Sequence, residues 1–248
     1  MEWTDAAIVL GVRKHGETSV IAELMTKQRG RFLGLVQGGR SRKMRPVLQP
    51  GNTVRATWRA RLDEHLGQFK IEGEALRAAQ LMENAHAIFA LQTLASHLRL
   101  LPERDAHQGL YDVFEIVLDN LSAAEIAAEM VVRFELALLE ELGFGLDLSA
   151  CAASGTRNNL LYVSPKSGRA VSAEAGQPWA DKLLELPSFL LERDIARVES
   201  ASLEDISSGF KLTGFFFDRH IHGPRGILLP SERESLLRAV ERELKGQD

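Results

Sequence analysis

The sequence is poor in the residues that hold small exported folds together. A single cysteine, Cys151, among 248 residues excludes an intramolecular disulfide framework and any all-cysteine metal site. Aromatic residues make up only 6% of the chain. No apolar stretch approaches the roughly 18 residues that a membrane-spanning helix needs. The opening Met1-Glu2-Trp3-Thr4-Asp5 lacks the basic start and apolar run of an export signal, so a soluble, cytoplasmic protein with no membrane partner is expected. Walker A, G-x-G-x-x-G and G-x-S-x-G patterns are missing, so nucleotide hydrolysis and serine-hydrolase chemistry have no local signature. Cys151 has no histidine near it in sequence and reads as a buried structural thiol. His220 and His222 face different ways on a helix, and no acid or cysteine obviously completes a metal site with them. No cofactor is expected, and the chain reads as a binding protein rather than an enzyme.

Acid is missing in a more telling way. The net charge is only −4, yet residues 1–80 carry 14 Lys+Arg against 8 Asp+Glu, and the remainder 16 against 26. Between Glu23 and Asp63 there is no acidic residue at all, while ten bases occur: Lys27, Arg29, Arg31, Arg40, Arg42, Lys43, Arg45, Arg55, Arg59 and Arg61. Eight of the ten are arginine, whose planar fork suits bidentate phosphate contact. Mixed signs are the usual solution for solubility, and this window abandons it. The pattern points to a polyanion-binding surface rather than an ordinary solvated face.

What is present divides by periodicity. Residues 6–12, 18–26, 31–37, 52–61 and 68–73 read as short strands separated by glycine turns, which suggests a small closed barrel of the OB type. In the fourth strand Val54, Ala56, Trp58 and Ala60 point one way and Arg55, Arg59 and Arg61 the other; Trp58 and Phe32 are expected in the core. Residues 38–46 read as a flexible basic loop. Helical periodicity follows over 81–100, 109–121, 122–143, 178–186, 188–195, 203–220 and 232–245, with capping boxes at Ser122–Glu125 and Ser231–Glu234. Residues 149–178 interrupt it, with a short strand at Leu160–Val163. The run Phe215-Phe216-Phe217 cannot all face inward on a helix, so one ring is expected near the surface.

Several segments resemble the bacterial recombination mediator RecO family. Ala7-Ile8-Val9-Leu10-Gly11 with His15-Gly16-Glu17 is similar to its first strand and turn, Thr26–Gly39 to its second and third strands, and Leu48-Gln49-Pro50-Gly51 to the lead into the fourth. Arg133-Phe134-Glu135 with Leu138-Leu139 and Glu141-Leu142-Gly143 is similar to its central helix. Ser164–Gly168 resembles the turn of its zinc module. The resemblance covers essentially the whole chain and is strongest over 6–62 and 131–176.

These readings give an α+β fold: an N-terminal OB-fold β-barrel over residues 1–78 that binds nucleic acid, then an α-helical domain over 79–248 with a degenerate zinc-ribbon-like insertion at about 149–178. The family's two C-x-x-C pairs would fall at Cys151 and Ser154 and at Ser172 and Ala175, so one ligand of four survives and a metal-free module is expected, packed on Leu161, Val163 and Val171. The resemblance implies binding of single- and double-stranded DNA, annealing of complementary strands and, with RecR and with RecF as a further candidate partner, loading of RecA onto DNA coated by the single-stranded-DNA-binding protein SSB. The ten bases of the acid-free window are the candidate DNA contacts. In this family the helical domain is thought to receive the acidic, aromatic-ended SSB tail, for which Arg133 is the candidate rim residue; its alternative is an internal salt bridge with Glu129 or Glu140. A ribosome- or RNA-associated OB protein and a degenerate enzyme are the competing readings.

Overall fold

The computed structural model describes residues 1–191 and 201–246. The chain forms two compact units, Met1–Asp119 and Asn120–Asp248. Each is taken by itself.

In the first unit β1 (Glu2–His15), β2 (Ser19–Thr26), β3 (Gly30–Val36), β4 (Thr53–Arg59) and β5 (Gln68–Ala75) close a barrel in the order β1-β2-β3-β5-β4. β3 meets β5 in parallel at Leu35 and Gln68, and the other neighbours are antiparallel. This is the OB-fold connectivity, in which closure leaves no free sheet edge. Alternation fills the interior: Val20, Ala22 and Leu24 from β2, Val54, Ala56 and Trp58 from β4, and Phe69 and Ile71 from β5. Trp58 is fully buried and Phe32 is 4% exposed, in keeping with their inward register. The indole N–H of Trp58 donates to the Leu66 carbonyl at 3.0 Å, so its burial leaves no orphan donor.

The outer face of β1 and β2 is covered as well. Ile8, Leu10, Ile21 and Met25 lie opposite the interior set, yet all are buried. The chain after the barrel, α2 (Ala78–Leu81), α3 (Ala85–Leu98) and α4 (Gln108–Asp119), belongs to the same compact unit and reaches the barrel at several points. The helix expected over 81–100 is shorter: α2 ends at Leu81, and α3 begins only after Asn84, which adopts extended backbone. Arg99 Nε donates to Glu23 at 2.9 Å, and Arg31 donates to the Leu101 carbonyl at 3.3 Å. Gly30, at φ +67°, sits so close to this segment that a Cβ would lie 1.6 Å from the Asp105 carbonyl oxygen. The change from strand to helix near residue 78 therefore does not end the compact unit, which runs to Asp119.

Residues 38–46 are less irregular than their composition suggests, since α1 (Met44–Val47) makes one helical turn. Asn52, 1% exposed, holds it: its amide donates to the Pro46 and Val47 carbonyls at 2.8 and 3.1 Å, and its oxygen accepts from Ala78 N at 2.9 Å.

In the second unit α5 (Ala124–Glu141) packs against α7 (Leu203–Phe217) and α9 (Ser231–Lys245). Neither expected capping box forms. The first helix is capped at Ala123, one residue after Ser122, and Ser231 is already helical behind Pro230. The side-chain cap is instead Ser202, which accepts from Asp205 N at 3.1 Å. Between these helices β6 (Leu160–Val163), β7 (Ala170–Ser172) and β8 (Leu184–Glu185) form a sheet in the order β7-β6-β8. The helix expected over 178–186 is replaced by α6 (Ala173–Gly176), a 3-10 turn at Gln177–Lys182 and β8, because the chain returns to pair with β6. The helix expected over 188–195 begins as a 3-10 turn at Ser188–Leu190, and the rest lies outside the described residues. Val163 and Val171 are buried as expected, but Leu161 is 46% exposed and Leu160 takes the inward place. A π-helical turn, Asp218–His222, and α8 (Gly223–Arg225) lead from α7 toward α9.

Candidate nucleic-acid interface

Antiparallel pairing carries most of the ten bases of the acid-free window to opposite ends of the barrel. β3 alone spans roughly 20 Å at about 3.3 Å per residue, so bases before it and after it do not share one surface. The β2–β3 turn and the end of β4 bring Lys27, Arg29, Arg59 and Arg61 to one end. Arg40, Arg42, Lys43 and Arg45 follow β3 at the other.

At the first end most of the positive charge is engaged. Lys27 pairs with Asp112 at 2.8 Å, and that hydrogen bond holds its ammonium above the ordinary range. Arg31, 14% exposed, bonds Glu23 at 3.0 Å and approaches Glu103 at 3.7 Å. Arg29 lies over the Trp3 ring at 5.1 Å. The arginine face of β4 is not free either. Arg59 is paired across strands with Glu2, at 3.0 and 2.6 Å, and Arg55 with Glu74 from β5, at 2.8 and 2.5 Å. Arg61 stays exposed, beside a groove of about 730 Å³ that it lines with Arg59 and His65. A cluster of Trp3, Phe32, Trp58 and Phe69, centroids 5.0 to 6.3 Å apart and packed edge-to-face except for the stacked Trp3–Trp58 pair, fills the barrel here, with Arg104 over Phe32 at 4.6 Å.

The second end is different. The β1–β2 register shifts between Val9 and Gly11, so Val12 pairs with Ala22 and Lys14 with Val20. Directly opposed residues point to one side of a ladder, and Ala22 and Val20 belong to the barrel interior. The bulge therefore turns Val12 and Lys14 inward at the barrel mouth. Arg40 ties the following loop to this hairpin: its amide donates to Thr18 O at 3.0 Å, and its guanidinium to the carbonyls of Gly16 and Glu17 at 3.2 and 2.6 Å. Arg13, Lys14, Arg40, Arg42, Lys43 and Arg45 are all exposed, and among the described residues no ion pair joins any of them to a carboxylate. Val12, Lys14, Val20, Arg40, Arg45, Leu48 and Gln49 line a cavity of about 340 Å³ at this mouth. Arg13 and Lys14 lie outside the acid-free window, because Glu17 follows them; only the pairing register brings them in.

In the second unit Arg133 bonds Glu129, four residues earlier, at 2.9 Å, and donates to the Phe189 carbonyl with that ring 5.8 Å away. Of the three consecutive phenylalanines Phe215 is 36% exposed, while Phe216 and Phe217 are buried. His220 stacks on Phe144 at 4.7 Å, and burial together with Arg219 lowers its pKa. Cys151, 1% exposed, accepts from Ser172 N at 3.2 Å. Burial raises its pKa, but hydrogen bonds from Ser154 and Ser172 outweigh that and bring it from 9.0 to about 6. Cys151, Ser154 and Ser172 thus lie together, with one sulfur donor where tetrahedral zinc needs four N or S ligands, so this donor set does not fit the ion. Among the described residues no group of three or more His, Cys, Asp or Glu is placed to hold a metal, and no helix is long and apolar enough to cross a membrane.

The sequence matches two family models in succession, recombination protein O N terminal over residues 1–76 and recombination protein O C terminal over 74–227. It is 59% identical over 242 residues to a DNA repair protein RecO of Mesorhizobium japonicum, covering 98% of this chain and 94% of that one. Identity is 56% over 244 residues to the DNA repair protein RecO of Rhizobium etli, with 98% and 94% covered, and 53% over 245 residues to that of Sinorhizobium medicae, with 99% and 97% covered.

Proposed function

The chain belongs to the RecO family of DNA repair and recombination proteins, and from that premise we propose that it binds single- and double-stranded DNA, anneals complementary strands and, with RecR, loads RecA onto SSB-coated DNA in the cytoplasm. RecF is a further candidate partner. The observation that carries the DNA-binding part is the barrel mouth, where six exposed bases gather without a carboxylate partner among the described residues. Unpaired cations at a concave end attract a polyanion and gain from released counterions. Annealing asks little more, since a surface that neutralises two strands lets base pairing prevail, with no nucleotide or metal consumed. We place the principal contact on Arg40, Arg42, Lys43 and Arg45, add Arg13 and Lys14, and give Arg55 and Arg59 a lesser part because Glu74 and Glu2 already neutralise them.

Binding of single-stranded DNA measured against salt tests this. For every phosphate that the protein ceases to neutralise, the slope of log K on log salt becomes shallower by about 0.7. Replacing Arg13, Lys14, Arg42 and Lys43 together by alanine should flatten the slope by about 2 to 3, whereas Arg55→Ala/Arg59→Ala should leave it nearly as it is. The reverse pattern would move the DNA to the β4 face.

For the SSB tail, Arg133 serves by exchanging Glu129 for the tail's carboxylate against Phe189. Arg133→Ala should abolish tail-peptide binding while DNA binding is retained, and Glu129→Gln should tighten it. Tail binding unchanged in Arg133→Ala removes that residue from the role.

A further inference from the structure

We propose that the barrel mouth holds one unpaired nucleobase of a single strand, with the phosphates on either side of it carried by Lys14, Arg40 and Arg45. The inference rests on the DNA-binding reading of this end and adds what the site selects. Its floor is aliphatic: Val20 and Leu48 are buried in the barrel interior, and Val12, turned inward by the bulge, is left 44% exposed above them. An exposed valine among charged neighbours, on the interior side of a strand, is an unfinished core surface that a planar apolar face would cover. The cavity measures about 340 Å³. That is near the lower end of ligand pockets, ~300–1,000 Å³, and suits one base rather than a stacked pair.

The rim argues for a nucleic-acid occupant. A peptide that ends in an apolar side chain presents one carboxylate and needs one cation. Here three cations surround the cavity, and Arg13, Arg42 and Lys43 continue the positive charge on the same end of the barrel. Repeated charge around a single apolar slot matches a chain with a phosphate at each step and a base between. No aromatic ring lines the slot, so the base rests on aliphatic groups and the guanidinium planes of Arg40 and Arg45. Such contacts use only the base's face and tolerate any sequence. A duplex keeps its bases stacked and paired, so it meets the rim but leaves the slot empty. The mouth thereby favours single strands, and it releases a base when a complementary strand claims it.

The test separates base from charge. Binding of a short oligothymidylate is compared with that of a strand of abasic sugar-phosphates of equal length and charge, for the wild type and for Val12→Glu. The wild type should bind the abasic strand about tenfold more weakly. Val12→Glu places a carboxylate on the slot floor; the added charge weakens both strands alike, so their affinity ratio should fall to about one. Val12 is 44% exposed on the hairpin, and circular dichroism checks that the variant folds; if it does not, the uncharged Val12→Gln makes the same comparison, and the ratio should fall there too. A wild-type ratio near one overturns the inference, and so does a ratio that survives Val12→Glu. If the ratio is near one while the Arg13/Lys14/Arg42/Lys43 variant flattens the salt slope, the slot alone is wrong; if that slope does not move, the DNA-binding reading of this end fails first. Competition at the slot by an acidic, aromatic-ended peptide, with no penalty for the abasic strand, would assign it to a protein partner instead.

Discussion

Glu135 is the most consequential single residue of the second unit. It is fully buried on α5, and Arg233 from α9 grips both its oxygens at 2.7 and 3.0 Å while the Thr213 hydroxyl of α7 donates to it. Arg233 also bonds Thr213 Oγ1 at 2.7 Å and lies 4.6 Å over the Phe210 ring. One carboxylate thus fastens three helices, which gives the Arg133-Phe134-Glu135 segment a structural reason for its residue types. A buried pair costs desolvation when formed, but an orphaned buried charge costs more. Arg233→Met should therefore lose about 3–5 kcal/mol in urea unfolding, whereas Glu135→Leu/Arg233→Met together should recover most of it. Additive losses in the double variant would deny the coupling. Cys151 makes a second claim at this scale. Its pKa is lowered on folding, so its contribution is fully present above the unfolded value of 9.0 and is lost as pH falls through about 6. The stability difference between wild type and Cys151→Ala should grow from pH 6 to pH 9, and a constant difference would mean that the thiol stays protonated throughout.

Among the elements, the strands were the most legible and the helix starts the least. Alternation at Val20/Ala22/Leu24 and Val54/Ala56/Trp58 locates β2 and β4, because one face of each meets a core and the side-chain period is two. The capping boxes misled, since Ser-x-x-Glu satisfies a local rule at more than one register and packing chose the neighbouring one. Two positive-φ glycines show how far tertiary contact goes beyond turn chemistry. Both Gly16 and Gly30 read as turn residues, with φ +60° and +67°. A Cβ at Gly16 meets nothing within 4 Å, whereas at Gly30 it meets the Asp105 backbone. Gly16→Ala should therefore cost no more than the ~1–2 kcal/mol of left-handed backbone. Gly30→Ala should cost clearly more, because the barrel and the 99–105 segment must separate. Equal losses in thermal unfolding would show that the segment yields freely.

At the scale of the whole chain, the site was legible as charge but not as place. The acid-free window exposed the cations; it could not show that β1 and β5 return Glu2 and Glu74 to Arg59 and Arg55, or that the hairpin adds Arg13 and Lys14, because both follow from strand register. The same blindness affects the boundary. Composition changes near residue 78, and there the family models also meet, at residues 74–76. Yet Ile8, Leu10, Ile21 and Met25 are buried on the barrel's outer face, and Arg31, Gly30 and Asn52 are all committed to chain beyond 75. Four large side chains left bare would expose apolar surface worth about 1.5–3 kcal/mol each, a large share of the stability of a small domain. A fragment of residues 1–119 should therefore unfold cooperatively and retain the salt-dependent binding of single-stranded DNA. A fragment of residues 1–78 should aggregate or show a much lower unfolding midpoint, although it holds every strand of the barrel and all six cations of its mouth. If the shorter fragment proves as stable as the longer one, the helices are passengers on the barrel and its outer face tolerates water.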